Sequence, residues 1–343
     1  MKNIKQILIY TALILLSIQT YAQTNFVISN NHLVQNGNYL VLQNAKLINN
    51  STFHSDSGTV IVTGDASDAN SSIGGTSSTT FSSLWINKSA NNGLLENSIH
   101  IKDSLRFLGG LFDISDFNIS MADTAVFNGA STSTYIKTTG QGAIVRRVAS
   151  TYVDYPVGDN VYSPIAVNNL GDIDTFSVRA KSAVYSDGSS GSLLTSDIVN
   201  ISWYIDENTA GNANINYIFQ WYETEELTGF DRTNSSVSYH NGTNWTSTAS
   251  SSVSGTNPYL KFANGITQMG VFVIGETTAL PVELLYFYGE KQDENVLLSW
   301  ETATELNNSH FDVEWSLDGT SFEKIGQVTG AGTTNESKLY DFL

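Results

Sequence analysis

The chain of 343 residues has no cysteine, which excludes disulfides and thiolate chemistry, and its 33 acidic against 16 basic residues give a net charge of −17. Such a polyanion is repelled by nucleic acid and by anionic membrane surfaces, so neither is an expected partner. Charged residues make up only 14% of the chain, and the abundance of Ser, Thr, Asn and Gly disfavours long helices and favours strands joined by many turns.

Residues 1–22 begin with Lys2 and Lys5, continue with an apolar run from Ile7 to Ile18, and end on Thr20-Tyr21-Ala22 before Gln23. A basic start, a short apolar core and small residues at a cut site predict a secretory signal peptide cleaved between Ala22 and Gln23. The run is shorter than the roughly 20 apolar residues a membrane-crossing helix needs, and no later segment could cross as one. The expected location is therefore secreted or outer cell surface. Without disulfides, the exported domains must be held by burial alone.

From 23 to 148 the sequence is a string of short apolar strands separated by Asn, Gly and Ser, among them NYLVLQ, AKLIN, GTVIVTG, FSSLWINKS and SIHIKDSLRFLG. Short, fairly even spacing suits the stacked rungs of a β-solenoid or a tightly turned sandwich, and the solenoid fits better. Between 149 and 276 the strands become longer and richer in aromatics, with Trp203, Trp221, Tyr239, Trp245 and Phe272 on alternating strands. Aromatics so placed build the core between two antiparallel sheets, so an antiparallel β-sandwich is expected. Residues 277–283, with Pro281, read as a linker. In 284–343, Val296, Leu298 and Trp300 share one strand face, Phe311, Val313 and Trp315 share another, and Asp318-Gly319 marks a hairpin turn. This is an all-β chain ending in an incomplete fibronectin type III or immunoglobulin-like sandwich, for which some seven strands over roughly 90–100 residues are needed. Tyr340 to Leu343 reads as the start of a strand whose partners lie beyond the sequence.

The last segment resembles the module that precedes the C-terminal sorting signal in surface proteins of Bacteroidetes. The resemblance rests on Leu280-Pro281-Val282-Glu283-Leu284, on Trp300-Glu301-Thr302-Ala303-Thr304-Glu305 with Asn307-Asn308, on Phe311 and Glu314, and on Asp318-Gly319 before Phe322-Glu323-Lys324-Ile325-Gly326. Trp315 departs from it, standing where the family carries a basic residue. The resemblance implies export by the Sec pathway and then by the type IX secretion system, whose machinery would be a partner through a sorting domain missing from this chain. It also implies truncation at Leu343.

Catalytic motifs are absent from the sequence: there is no G-x-S-x-G, H-E-x-x-H, phosphate-binding G-x-x-x-x-G-K-[ST] or helix-entering G-x-G-x-x-G. The histidines, His32, His54, His100, His240 and His310, are scattered without metal-ligand spacing. No cofactor is expected. One alternative is a solenoid polysaccharide lyase or hydrolase, using acids among Asp103, Asp113, Asp116 and Asp123 with Lys102 and Arg106 beside them. Outward residues that keep strand ends soluble explain the same pattern, and Arg146-Arg147 reads as a strand-end pair. Calcium is the small-ion candidate, at loops carrying Asp172, Asp174 and Asp187. Trp85, Trp245 or Tyr259 could stack on sugar rings. Ser104 and Thr124 lie in the Asp-Ser/Thr-apolar pattern at which Bacteroidetes O-glycosylate exported proteins. The expected function is that of a non-enzymatic, adhesin-like surface or secreted protein with a glycan or cell-surface ligand.

Overall fold

The computed structural model describes residues 24–29, 32–65, 71–243, 245–276, 283–334 and 336–343. The signal segment with its Ala22–Gln23 cleavage site, and residues 277–282 of the expected linker, lie outside the described residues.

The chain is all-β. Its first part forms β1 (Thr24–Ile28), β2 (His32–Gln43), β3 (Ala45–Asn49), β4 (Thr52–Gly64), β5 (Ser71–Gly74), β6 (Thr79–Lys88), β7 (Gly93–Leu95) and β8 (Ile99–Gly109). It continues with β9 (Phe112–Asp113), β10 (Ile119–Met121), β11 (Val126–Asn128), β12 (Ile136–Lys137), β13 (Ile144–Val148), β14 (Val153–Tyr155) and β15 (Val157–Gly158). Two parallel stacks result, β1-β3-β5-β7-β9-β12-β15 and β2-β4-β6-β8-β10-β13. Each turn of chain adds one short and one long strand, which is a β-solenoid. Thr24 pairs with Ala45 and Gly93 with Phe112, so a turn takes 21 residues in the first case and 19 in the second.

Strand periodicity explains the stacking. In the register Leu40–Val60–Leu84–Leu105, one residue per turn points inward and meets its equivalents above and below. Val60, Leu84 and Leu105 are fully buried, while their neighbours in sequence alternate outward. Turns are pinned by polar side chains. Buried Asn49 donates from Nδ2 to the Ser78 carbonyl and to Thr79 Oγ1, both at 3.1 Å. Gly75 lies at φ +110°, with its Cβ position 2.2 Å from the Asn49 carbonyl oxygen, so no other residue fits there.

The next strands are β16 (Ile165–Asn169), β17 (Asp174–Lys181), β18 (Ser202–Glu207), β19 (Ile215–Trp221), β20 (Ser235–His240), β21 (Trp245–Thr248), β22 (Ser254–Gly255), β23 (Tyr259–Ile266) and β24 (Gly270–Glu276). Pairing changes from parallel to antiparallel at β13–β17, yet the sheet does not stop: the long stack runs on through β17-β18-β24-β20-β21. A second antiparallel sheet, β14-β16-β19-β23-β22, completes the sandwich. Trp203, Tyr217, Phe219, Trp221 and Phe272 are all fully buried. Trp203 meets Phe219 edge-on at 5.0 Å, and its indole N–H donates to the Ser163 carbonyl at 2.9 Å. The sheet that holds β13 thus continues without a break into the sandwich, and the solenoid and sandwich interiors form a single apolar core.

Four strands follow: β25 (Glu283–Gln292), β26 (Asn295–Trp315), β27 (Glu323–Thr334) and β28 (Lys338–Phe342). Two sequence expectations are corrected here. The segments around Trp300 and Phe311 are one bent strand of 21 residues, pairing with β25 and β28 through its first half and with β27 through its second. Lys338–Phe342 does have a partner within the chain, with Trp300 opposite Tyr340 and Leu298 opposite Phe342.

The bend explains why the folded-over halves meet. Trp300 stacks on Tyr340 at 5.5 Å and meets Phe311 edge-on at 5.4 Å. Glu305, 1% exposed, sits at the bend. Its carboxylate accepts hydrogen bonds from Thr302 Oγ1 (2.8 Å), Asn308 Nδ2 (2.9 Å), the Ala331 N–H (2.7 Å) and the Tyr340 hydroxyl. Burial pushes its pKa up, but these donors outweigh burial and hold it below the ordinary value. Trp315, by contrast, is 54% exposed at the strand's end, past a bulge at Val313/Glu314, and does not share the core with Phe311 and Val313.

Candidate functional site

The outer face of the long-strand stack carries two adjacent columns of residues. One runs Tyr39, Thr59, Ser83, Ser104, Val126; the other runs Val41, Ile61, Trp85, Arg106, Asn128. Consecutive members are about 4.8 Å apart, the spacing of paired strands. Both columns point outward because their sequence neighbours, such as Leu84 and Ile86 around Trp85, point in. Tyr39 and Val41 are exposed, and part-buried Trp85 lies 5.8 Å from the Tyr39 ring. The Arg106 guanidinium lies over Trp85 at 5.1 Å. The result is a strip about 20 Å long that carries two aromatic rings, Tyr39 and Trp85, with Arg106 and the Thr59, Ser83 and Ser104 hydroxyls beside them.

Of the three aromatics expected to stack on sugars, all part-buried, Trp85 is the one that stands on the outer face of the solenoid, beside exposed Tyr39. The Trp245 indole N–H donates to the Ser186 carbonyl at 2.6 Å, with the ring packed beside His240. Tyr259 is covered by Arg232 at 4.0 Å and leans on Trp221. Sequence reasoning missed Tyr39, although its alternation with Leu40, Val41 and Leu42 carried the signal.

The four acids offered for glycosidic chemistry do not come together. Asp103 stands on β8 and accepts from the Ser82 hydroxyl, whereas Asp113 stands on β9 in the opposite stack. Asp113 accepts from Thr139 Oγ1 at 2.6 Å and from the Ser115 N–H at 3.0 Å, and Asp116 accepts from the Gln141 N–H at 2.8 Å. Asp123 pairs with Arg147 at 2.9 Å. Each acid has a turn or a rung to hold. Lys102 donates to the Ser55 carbonyl at 3.1 Å, tying non-adjacent turns. Arg146 and Arg147 are not an equivalent strand-end pair: Arg146 is 7% exposed and donates from Nη2 to the Ala125 carbonyl at 3.1 Å, and burial lowers its pKa.

The calcium candidates divide. Asp172 and Asp174 line a small pocket of about 140 Å³ with Glu207. Asp174 already accepts from the N–H groups of Thr175 and Thr209, both at 2.7 Å, and the Gly211 N–H donates to Glu207 at 3.0 Å. Asp187 belongs to a different turn, closed by its N–H to the Ser190 carbonyl. Among the described residues no three His, Asp or Glu side chains are arranged to hold a metal ion. Of the glycosylation candidates, Thr124 is exposed in a turn, while the Ser104 hydroxyl donates to Ser83 Oγ at 3.0 Å within the ladder.

Two larger clefts open around the sandwich. One, of about 480 Å³, is lined by Phe127, Asp154, Pro156, Tyr162 and Gln220, with Tyr135 packed 5.5 Å behind Tyr162. The other, of about 580 Å³, holds Arg179, Lys181, Tyr185 and Tyr204. Neither was anticipated, although FSVRAK shows two cations alternating with buried Phe176, Val178 and Ala180. No described helix is long and apolar enough to cross a membrane. Compared with known proteins, the chain matches no family model, no curated protein and no solved structure.

Proposed function

We propose that this chain is a non-enzymatic, adhesin-like display protein, secreted or held at the cell surface, whose solenoid head binds a glycan through its outer face. The observation that carries the reading is the Tyr39–Trp85–Arg106 cluster, two aromatic rings and a cation gathered on the outer face of the stack. Aromatic faces pack against the C–H faces of sugar rings, and flanking hydroxyls bond to sugar hydroxyls. The Lys2-to-Ala22 segment supports export, and the Leu280-to-Gly326 pattern supports delivery by the type IX route. The glycosidase or lyase alternative is the weaker one, because the acids it relies on hold turns on opposite stacks.

The test is retention of the full chain on a panel of insoluble plant, algal and bacterial polysaccharides, alongside Trp85→Ala and Tyr39→Ala. At least one polysaccharide should retain the wild type, and both variants should lose most of that retention with unchanged melting. Retention by none, or release of new reducing ends, would overturn the proposal.

A further inference from the structure

The 580 Å³ cleft beside β17 and β18 contains a cation with unused bonding capacity. Arg179 and Tyr204 are cross-strand partners, and the guanidinium lies 3.9 Å from the Tyr204 ring centroid. Stacking engages the flat face of the guanidinium and leaves its N–H donors in the plane available. The side chain makes no hydrogen bond or ion pair to another described residue. It is nonetheless half-buried, and burial lowers its pKa, partly offset by Tyr204 and Asp206. A charge partly withdrawn from water without an oxygen partner costs some free energy, and a bound anion recovers it.

The rest of the lining narrows the anion. Lys181 donates one of its three N–H groups to the Thr139 carbonyl and keeps its charge. Asp159 and Asp206 face the same space and offset the charges of Arg179 and Lys181, so the lining has no net positive charge to hold a densely charged polyanion. The same two acids accept hydrogen bonds from hydroxyls, and Gln141 can both donate and accept. Tyr185 adds an aromatic wall. The volume lies within the range of small-ligand sites. We infer that this cleft binds a carboxylate-bearing sugar, a uronic acid residue, with Arg179 forking onto its carboxylate and Asp159, Asp206 and Gln141 holding its hydroxyls. The site shares no residue with the Tyr39–Trp85 strip and stands whether or not that strip binds glycan.

The experiment is calorimetric titration of the full chain with the methyl glycosides of galacturonate and mannuronate, which carry a single charge, each beside its methyl ester, which keeps the sugar and removes the charge. At least one free acid should bind, and its ester at least tenfold more weakly. Arg179→Gln should weaken binding of the acid tenfold or more, Arg179→Lys should fall between because it keeps the charge and loses the fork, and Trp85→Ala should bind as wild type does. If Arg179→Gln fails to fold, the acid-to-ester ratio in the wild type decides. No binding of either acid, equal binding of acid and ester, or undiminished binding by a folded Arg179→Gln protein would overturn the inference. Loss of binding in Trp85→Ala would overturn it too, placing the ligand on the outer face instead.

Discussion

Glu305 is the residue on which the C-terminal unit turns, and replacing it separates its charge from its geometry. One carboxylate oxygen takes the Thr302 and Tyr340 hydroxyls; the other takes the Asn308 amide and the Ala331 N–H. A hydrogen bond to a charged group contributes about 1.5–3 kcal/mol, and an orphaned buried donor costs about 1–3 kcal/mol. Because hydroxyls can rotate to other acceptors, these terms do not add. We expect Glu305→Ala to cost about 3–5 kcal/mol, the range of a broken buried network. Glu305→Gln should cost about 1–2 kcal/mol, since its oxygen still accepts from Asn308 and Ala331 while Thr302 and Tyr340 rotate to accept from its amide. The pH dependence follows from the sign of the shift. The folded pKa lies below the ordinary 4.5, so the contribution is complete above that value and is lost as pH falls through the folded one. Glu305→Gln should lose less stability in that acid window. Urea unfolding read by hydrogen exchange in peptides from 295–315 and 338–343 measures these effects. A cost below about 1 kcal/mol for the alanine, or equal costs for both variants, would refute the argument.

Other perturbations test the solenoid and sandwich. Gly75→Ala should cost well over 2 kcal/mol, combining a left-handed backbone with a 2.2 Å clash, whereas Gly37→Ala, at φ +74° with open space around it, should cost about 1 kcal/mol. Similar melting points for the two would contradict this. Buried Trp203→Ala should cost about 3–5 kcal/mol, and Trp203→Phe should still cost more than an ordinary core swap, because the Ser163 carbonyl loses its donor; thermal unfolding decides. His240 is buried, and that burial lowers its pKa against the opposing pull of Asp187. The unfolded chain therefore takes up its proton first, so stability should fall as pH drops below 6.5 and level off below the folded value. An NMR titration midpoint for His240 at or above 6.5 would sink that account.

The sequence carried the solenoid because its inward residues repeat at a period of two within each strand. A run such as Thr59-Val60-Ile61-Val62 places Val60 and Val62 in the core whatever their partners are. It could not carry the register between turns, which depends on turn lengths that vary from 19 residues (Gly93 to Phe112) to 26 (Leu47 to Ile73). For that reason the acids between 103 and 123 looked like neighbours although β8 and β9 belong to opposite stacks. The Tyr39–Trp85 strip has the same origin: its members are 46 residues apart in the chain, and only stacking joins them. The C-terminal unit fails differently. Thr304 to Asn308 reads as a polar break between two strands, because a sequence window prices Glu305 as a surface residue, while the structure buries it and supplies it with four donors.

The junction between solenoid and sandwich follows from what a solenoid end must do. A parallel stack ends on strands with unpaired backbone donors and acceptors, a template for unwanted pairing. At β13 the chain meets that edge with β17, which pairs antiparallel from Ile144–Val178 to Val148–Asp174. The reversal adds no new face to be covered. Ile144, Val148 and Val178 are all fully buried in the same core, so the inward alternation of the solenoid passes directly into the sandwich. Tyr155 spans the change, its hydroxyl within reach of the carbonyls of Arg146 and Phe176 on the two strands that meet there, at 3.5 and 3.4 Å. The sandwich therefore acts as the cap of the stack. In stacked-repeat architectures each turn draws stability from its neighbours, so the rungs nearest β13 borrow the rigidity of the aromatic core around Trp203. Both clefts lie close to this junction, where Phe127 and Gln141 from the last turns face residues of the sandwich. A cap built on one continuous sheet makes those walls rigid with respect to each other, which is the condition a preorganised binding cleft requires.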